Sequence, residues 1–249
     1  MCSAESGLKD QRRLYGDLAW LWPIISPPEA YIKEAEELRR LFCEATSNPP
    51  KTLLHFGCGG GHTDHTLKNY FQITGVDISI EMLSLAKHLN PEVDYMPGDM
   101  RTLRLTRTFD AVLIGDSINY MLTQDDLHSV MRTAYGHLKA DGVLILLVEQ
   151  TIETFEQNRT FCANYSRGNT EVIFLENLFD ADPSDSVYEM TFVYLIREGK
   201  KLRIETDRHL SGLFGKEVWR DLLERTGFEV RESVLASGDG CPLFVCRKY

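Results

Sequence analysis

The sequence has no Cys-x-x-Cys pair, no long apolar run and no block of basic residues, and each absence removes a class of function. Its six cysteines, Cys2, Cys43, Cys58, Cys162, Cys241 and Cys246, are scattered. That fits reduced thiols in a cytoplasmic protein better than a disulfide frame or a zinc knuckle. The longest apolar run, 143–148, falls far short of the roughly 20 residues a membrane-spanning helix needs. Residues 1–10 are polar and Pro23 interrupts the apolar stretch near Trp20, so no signal peptide is read. With 37 acidic against 27 basic side chains, the formal charge of −10 argues against a nucleic-acid or anionic-membrane partner, stays compatible with small molecules and would favour cationic ones. In that setting the two Asn-x-Ser/Thr matches at Asn158 and Asn164 are chance.

What is present is ordinary globular material, 43% apolar and 26% charged over 249 residues, enough for one α/β domain with an insertion. Leu14, Tyr15, Leu18, Leu21 and Trp22 recur at helical spacing, which predicts a helix over 8–22 ending at Pro23. Ser26, followed by two prolines and Glu29, predicts a capped helix to about Cys43. Apolar runs at 53–56, 73–78, 93–96, 109–114 and 143–148 alternate with helical segments at 64–70, 80–89 and 123–138. This βαβ rhythm predicts a doubly wound parallel sheet. Three strand-like runs, 171–179, 187–197 and 202–209, are joined by turn residues and predict an inserted antiparallel sheet. A helix at 216–226 and strands at 228–235 and 243–247 complete the chain. The partition expected is N-terminal helices over 1–50, a core over 51–150, a covering insertion over 151–213 and a helix with a hairpin over 214–249.

The chain is organised around His55-Phe56-Gly57-Cys58-Gly59-Gly60-Gly61-His62, where a strand breaks into glycines and then into a helix start. Glycines there let the backbone take positive φ and let a ligand lie directly on it. A dinucleotide fingerprint would need glycine at His62, which disfavours a nicotinamide-dependent oxidoreductase. Asp77 ends the second strand, where a carboxylate accepts ribose hydroxyls, and Asp99 with Met100 ends the third. Gly115-Asp116-Ser117 ends the fourth. All lie at carboxyl ends of successive parallel strands, where open α/β sheets bind ligands.

Residues 57–61, Gly75-Val76-Asp77-Ile78-Ser79 with Met82, and Gly98-Asp99-Met100 resemble the successive motifs of class I S-adenosylmethionine-dependent methyltransferases. The N-terminal Tyr/Trp segment and the insertion look most like small-molecule members, including amino-sugar and glycine N-methyltransferase types. The resemblance implies a Rossmann-like seven-stranded sheet and S-adenosylmethionine as cofactor. It implies a cofactor site of Gly57, Cys58, Gly59, Gly61, Asp77, Ile78, Met82, Asp99, Met100 and Asp116. The acceptor expected is a small-molecule amine, with a hydroxyl as alternative, for a monomer or homodimer. A non-catalytic binding protein on the same fold and a protein or RNA methyltransferase are the rival readings.

One position departs from the family pattern: His55 stands where Asp or Glu usually helps hold the methionine end of the cofactor. Weaker cofactor affinity, a substitute carboxylate at Asp116 and lost activity are all open, and the His55 side chain itself could bond to a loop carbonyl or contact the cofactor directly. If the site has decayed, a His55→Asp variant should recover binding. Candidate proton acceptors for the acceptor group are Asp116, Tyr15, Tyr120 and His209, each of which also suits a packing or cofactor role. Cys58 fits the loop as a small side chain. His62, His65 and His55 suggest a metal weakly; capping by Thr63 or Asp64 explains the segment more simply, and no metal is expected.

Overall fold

A computed structural model describes residues 11–236 and 242–249. The readings made on residues 1–10 and on Cys241 lie outside the described residues. Seven strands form one sheet: β1 (Thr52–Phe56), β2 (Gln72–Asp77), β3 (Asp94–Pro97), β4 (Phe109–Ile114), β5 (Leu138–Leu147), β10 (Phe228–Val234) and β11 (Pro242–Lys248). Their order is β10-β11-β5-β4-β1-β2-β3, and β11 alone runs antiparallel to its neighbours. Four further strands, β6 (Thr160–Arg167), β7 (Thr170–Phe179), β8 (Val187–Glu198) and β9 (Lys201–Gly212), form a separate antiparallel sheet in that order.

The central strands are apolar on both faces because both faces are covered. Leu53, Ala111, Leu113, Ile145 and Val245 pack against α2 (Ile32–Ala45) through Ala35, Leu38 and Phe42. Leu54, Val112, Ile114, Leu144 and Phe244 pack against α5 (Gln124–His137) and α6 (Lys216–Thr226) through Val130, Met131, Trp219 and Leu223. Each Leu, Ile, Val, Met or Phe among them contributes about 1.5–3 kcal/mol on burial, so the sheet is a rigid platform for the loops at its ends. α3 (His62–Leu67) and α4 (Ile80–Leu89) complete the crossovers, and Ser79 caps α4 by accepting the Met82 N–H at 3.0 Å. Thr123 caps α5 in the same way through the Asp126 N–H.

Three expectations need correction. The segment expected as a helix over 8–22 is two 3-10 turns, Arg13–Tyr15 and Ala19–Leu21, and the one-turn α1 (Trp22–Ile25) begins where Pro23 was expected to end it. Proline suits the first turn, where its missing N–H has no partner to lose. Ser26 does not cap; its hydroxyl pairs with that of Tyr31, and a 3-10 turn over Pro28–Tyr31 leads into α2. Strand β6 escaped the sequence reading altogether. It is a largely exposed edge strand, so Thr160-Phe161-Cys162-Ala163-Asn164 has no buried face to impose alternation. Its β7–β9 neighbours do carry that alternation: Tyr188, Met190, Phe192, Tyr194 and Ile196 on β8 pack onto Leu14, Leu18 and Leu21 of the N-terminal turns. No helix among the described residues is long and apolar enough to cross a membrane.

Candidate active site

A cavity of about 690 Å³ opens at the carboxyl ends of β1 to β5, walled on the other side by the N-terminal turns and the antiparallel sheet. Its floor is the glycine loop. The Gly57 and Cys58 N–H groups donate to Val76 O at 2.7 and 3.1 Å, strapping the loop to β2. Gly57 has φ +65°, and a Cβ there would lie 2.0 Å from Ser117 Oγ. Only glycine lets the β4 loop close over this point. Ser117 Oγ is buried there without a hydrogen-bond partner. Gly61, expected in the cofactor wall, instead backs onto Tyr95 and Asn90; Gly60 takes its place in the wall.

Asp77 organises the loop from β2. One carboxylate oxygen accepts the Gly59 N–H at 2.8 Å and the other the Ser79 N–H at 2.8 Å. Burial pushes its pKa up despite these bonds, and each oxygen keeps a lone pair for a ligand hydroxyl. Ile78, Met82 and Met100 line the same wall. Asp99 lines it too, but Arg101 grips both its oxygens, holding its pKa below the ordinary range, and reaches on to Asp126 at 3.1 Å. The Cys58 thiol is buried, which pushes its pKa up and keeps it protonated.

The hydrogen bond His55 makes goes to a carboxylate and not to a loop carbonyl, one of the readings left open above. Its Nδ1 lies 2.7 Å from Asp64 Oδ1, in a pair buried beneath the loop. Asp64, expected as a possible helix cap, is fully buried and also accepts the Tyr95 hydroxyl at 2.9 Å. A carboxylate acceptor there takes its proton from His55 Nδ1. The other two histidines diverge: His65 pairs with Asn90 at 2.9 Å, and the His62 ring lies over Trp22 with its pKa lowered by burial to about 4.

Three of the four candidate proton acceptors meet in one chain of bonds. Tyr15 Oη lies 2.9 Å from Tyr120 Oη, which lies 2.6 Å from His209 Nδ1. His209 Nε2 lies 2.8 Å from Asp207 Oδ2, a residue the sequence reading passed over. Burial works against the Asp207 charge, but His209 and the Leu14 N–H, which donates at 2.6 Å, hold its pKa below the ordinary range. An ionised Asp207 only accepts, so His209 Nε2 donates to it, and a neutral imidazole would leave Nδ1 to accept from Tyr120 and Tyr120 to accept from Tyr15. Burial pushes both tyrosine hydroxyls well up, so they remain neutral links. Tyr15 and Tyr120 line the cavity; His209 and Asp207 are buried behind them.

The fourth candidate, Asp116, stands elsewhere in the wall with Glu34, Glu149 and Glu176. Water reaches Asp116 through the cavity, but protein surrounds it, and burial pushes its pKa up. Glu149 follows β5, where Asn119 Oδ1 accepts its backbone N–H at 3.0 Å. Glu34, Glu149 and Glu176 left no signal in the sequence, because isolated acids on a helix, a strand end and a strand face read as surface.

A sequence model described as a methyltransferase domain matches residues 54–146. The chain is 28% identical over 223 residues to dTDP-3-amino-3,4,6-trideoxy-alpha-D-glucopyranose N,N-dimethyltransferase of Streptomyces venezuelae, covering 86% of this chain and 90% of that one. It is 28% identical to dTDP-4-amino-2,3,4,6-tetradeoxy-D-glucose N,N-dimethyltransferase of Saccharopolyspora spinosa, covering 78% of each. Among solved structures it superposes on S-adenosylmethionine-bound CalS10, an amino pentose methyltransferase of Micromonospora echinaspora. That match has TM-score 0.80 at 25% identity, covering 88% of this chain and 92% of that one. The sheet order, the glycine loop against Asp77 and these likenesses agree: the chain belongs to the class I S-adenosylmethionine-dependent methyltransferases.

Proposed function

We propose that this protein transfers a methyl group from S-adenosylmethionine to the nitrogen of a small-molecule amine. The observation that carries this reading is one cavity with the glycine loop on its floor and a hydrogen-bonded proton path in its cover. Relatives named as amino-sugar N-methyltransferases support the amine over the hydroxyl. The residues present fit the cofactor. The loop through Gly57, Cys58, Gly59 and Gly60 leaves backbone exposed beside the unpartnered Ser117 hydroxyl, with Asp77 and Asp99 on the same wall. In this reading Gly57 to Gly60, with His55 and Asp116, hold the methionine end, Asp77 the ribose, and Asp99 with Met100 the adenine. Ile78 and Met82 flank them.

S-adenosylmethionine, when bound, supplies a methyl already activated by its sulfonium, so the protein's task is position and proton removal. An amine reaches the site as an ammonium and must lose a proton before it can attack. Tyr15 Oη, having donated to Tyr120, offers lone pairs to that N–H. As Tyr15 accepts the proton it passes its own to Tyr120, Tyr120 passes its own to His209 Nδ1, and the imidazolium formed is paired with Asp207. No tyrosinate is needed at any point. The N-terminal turns and the insertion over 151–213 act as the cover that excludes water. A cytoplasmic monomer or homodimer, without nucleic-acid partners, completes the proposal, supported by the net charge of −10.

The test is calorimetric titration with S-adenosylmethionine and S-adenosylhomocysteine beside an Asp77→Ala variant, then mass spectrometry of amines incubated with protein and cofactor. Micromolar binding that Asp77→Ala abolishes, followed by methyl gain on nitrogen, is the expected result. A folded protein that binds neither ligand overturns the reading.

A further inference from the structure

Resting on the methyltransferase reading, the cavity's own chemistry narrows its acceptor. Glu34 from α2, Asp116 after β4, Glu149 after β5 and Glu176 from β7 converge on the cavity from four separate elements. Among the described residues none of their carboxylates has a hydrogen-bond or ion-pair partner. They sense one another in sequence: Asp116 raises both Glu34 and Glu149, and Glu176 raises Glu149. Burial is the larger cause in each case, and it carries Glu34 to about 7 and Glu149 to about 8. Arg159 offsets this for Glu149 and Glu176, and His55 for Glu34.

Two independent features of the same walls point to what fills the space. Tyr15, Trp22, Tyr31, Phe174 and Phe192 line the cavity, and aromatic faces beside carboxylates are the usual surroundings of an organic cation. Ser211 on β9 also lines it, completely buried, and besides its cross-strand neighbour Tyr188 its hydroxyl meets no partner among the described residues. A nucleoside diphosphate would meet the wrong charge here. Of the two arginines in the wall, Arg101 is committed to Asp99 and Asp126 and Arg12 lies over the Tyr120 ring, 4.4 Å from its centroid. With Asp116 given to the methionine end of the cofactor, a single acceptor ammonium leaves part of the remaining row, Glu34, Glu149 and Glu176, unmatched.

We infer that the acceptor is a phosphate-free small molecule carrying at least two amines, one methylated and another held by Glu149 and Glu176. This separates the chain from relatives whose printed substrates are dTDP-sugars.

The test uses the full chain with saturating S-adenosylhomocysteine and three probes: 1,4-diaminobutane, 1-aminobutane and thymidine 5′-diphosphate, each titrated by calorimetry. The diamine is expected to bind at least tenfold more tightly than the monoamine, with no heat from the diphosphate. Glu149→Gln and Glu176→Gln, made singly so that one folded variant suffices, are each expected to lower diamine affinity at least tenfold and leave S-adenosylhomocysteine affinity unchanged. Binding of the diphosphate in preference to the diamine, equal affinity for the two amines, or diamine affinity unmoved by both substitutions overturns the inference. Diamine binding without any S-adenosylhomocysteine binding would defeat the methyltransferase reading while leaving the cationic site standing.

Discussion

The floor and the cover of the cavity treat their charges in opposite ways. On the floor the acids around the glycine loop have protein partners: Asp77 takes two backbone N–H groups, Asp99 takes Arg101, and Asp64 takes His55 and Tyr95. Around the acceptor space Glu34, Glu149 and Glu176 are left without one among the described residues, while deeper in the cover Asp207, His209, Tyr120 and Tyr15 are tied in series. A surface built for one unvarying cofactor can be organised in advance. A surface built for a charged acceptor keeps its carboxylates open, since pairing them internally would remove the attraction that selects the ligand.

The largest effect expected from breaking this contrast is in the cover. His209→Ala removes the terminus of the proton path, and Tyr15→Phe removes its mouth. Each should lower methyl transfer by about 10²- to 10⁴-fold, the range for a lost general base, with S-adenosylhomocysteine affinity unchanged. Asp207→Asn should lower the rate as well and move the pH–rate profile, because an amide cannot hold the imidazolium. A Tyr15→Phe rate within threefold of wild type would mean that positioning alone suffices and the path is structural.

On the floor, His55→Asp now carries the opposite expectation from that of a decayed site. It would set a carboxylate against Asp64, where the imidazole nitrogen stands 2.7 Å away, and two buried like charges cannot both stay ionised. A loss of about 3–5 kcal/mol in urea unfolding is expected, as for other uncompensated buried charges, and a second change, Asp64→Asn, should recover most of it. If His55→Asp is as stable as wild type, the pair is not what holds α3 to the sheet.

Gly57→Ala should cost about 2 kcal/mol or more through positive φ and the clash with Ser117, and should abolish cofactor binding. Gly115→Ala, at a position where a Cβ meets nothing within 4 Å, is the matched control and should be near neutral. Equal stability of the two variants would show the loop to be softer than its geometry.

The same division decides what could be read from sequence. The floor is built from neighbours in the chain, so strand, glycine, acid and helix cap recur at short, recognisable distances. Ser79 capping α4 and Asp77 closing on Gly59 are local events. The cover is built from pairings across long separations, Leu14 with Asp207 and Tyr15 with Tyr120, which leave no periodic trace. Hence Tyr15, Tyr120 and His209 were visible as reactive types but not as a series, and Asp207 was missed. The N-terminal segment was misread as a helix because Leu14, Leu18 and Leu21 do face one way; what they face is β8, and Asp207 rather than helical bonding fixes the turn.

The smallest expected effect tests the unpaired acids without any ligand. Glu149 is moved from its ordinary 4.5 to about 8, chiefly by burial and then by Asp116 and Glu176, with Arg159 opposing. Between those two values the folded protein holds a proton that the unfolded chain has released. The contribution of this group to stability is therefore present below pH 4.5 and is lost as pH rises through about 8. The ligand-free wild type should accordingly melt at lower temperature as pH rises across that window. Glu149→Gln, which cannot ionise, should show a flatter curve, and 1,4-diaminobutane should restore stability in the wild type at the upper end, where the carboxylates are charged and an ammonium can meet them. Parallel melting curves for wild type and Glu149→Gln would place Glu149 in contact with bulk water, and the contrast between a paired floor and open carboxylates around the acceptor would lose its central member.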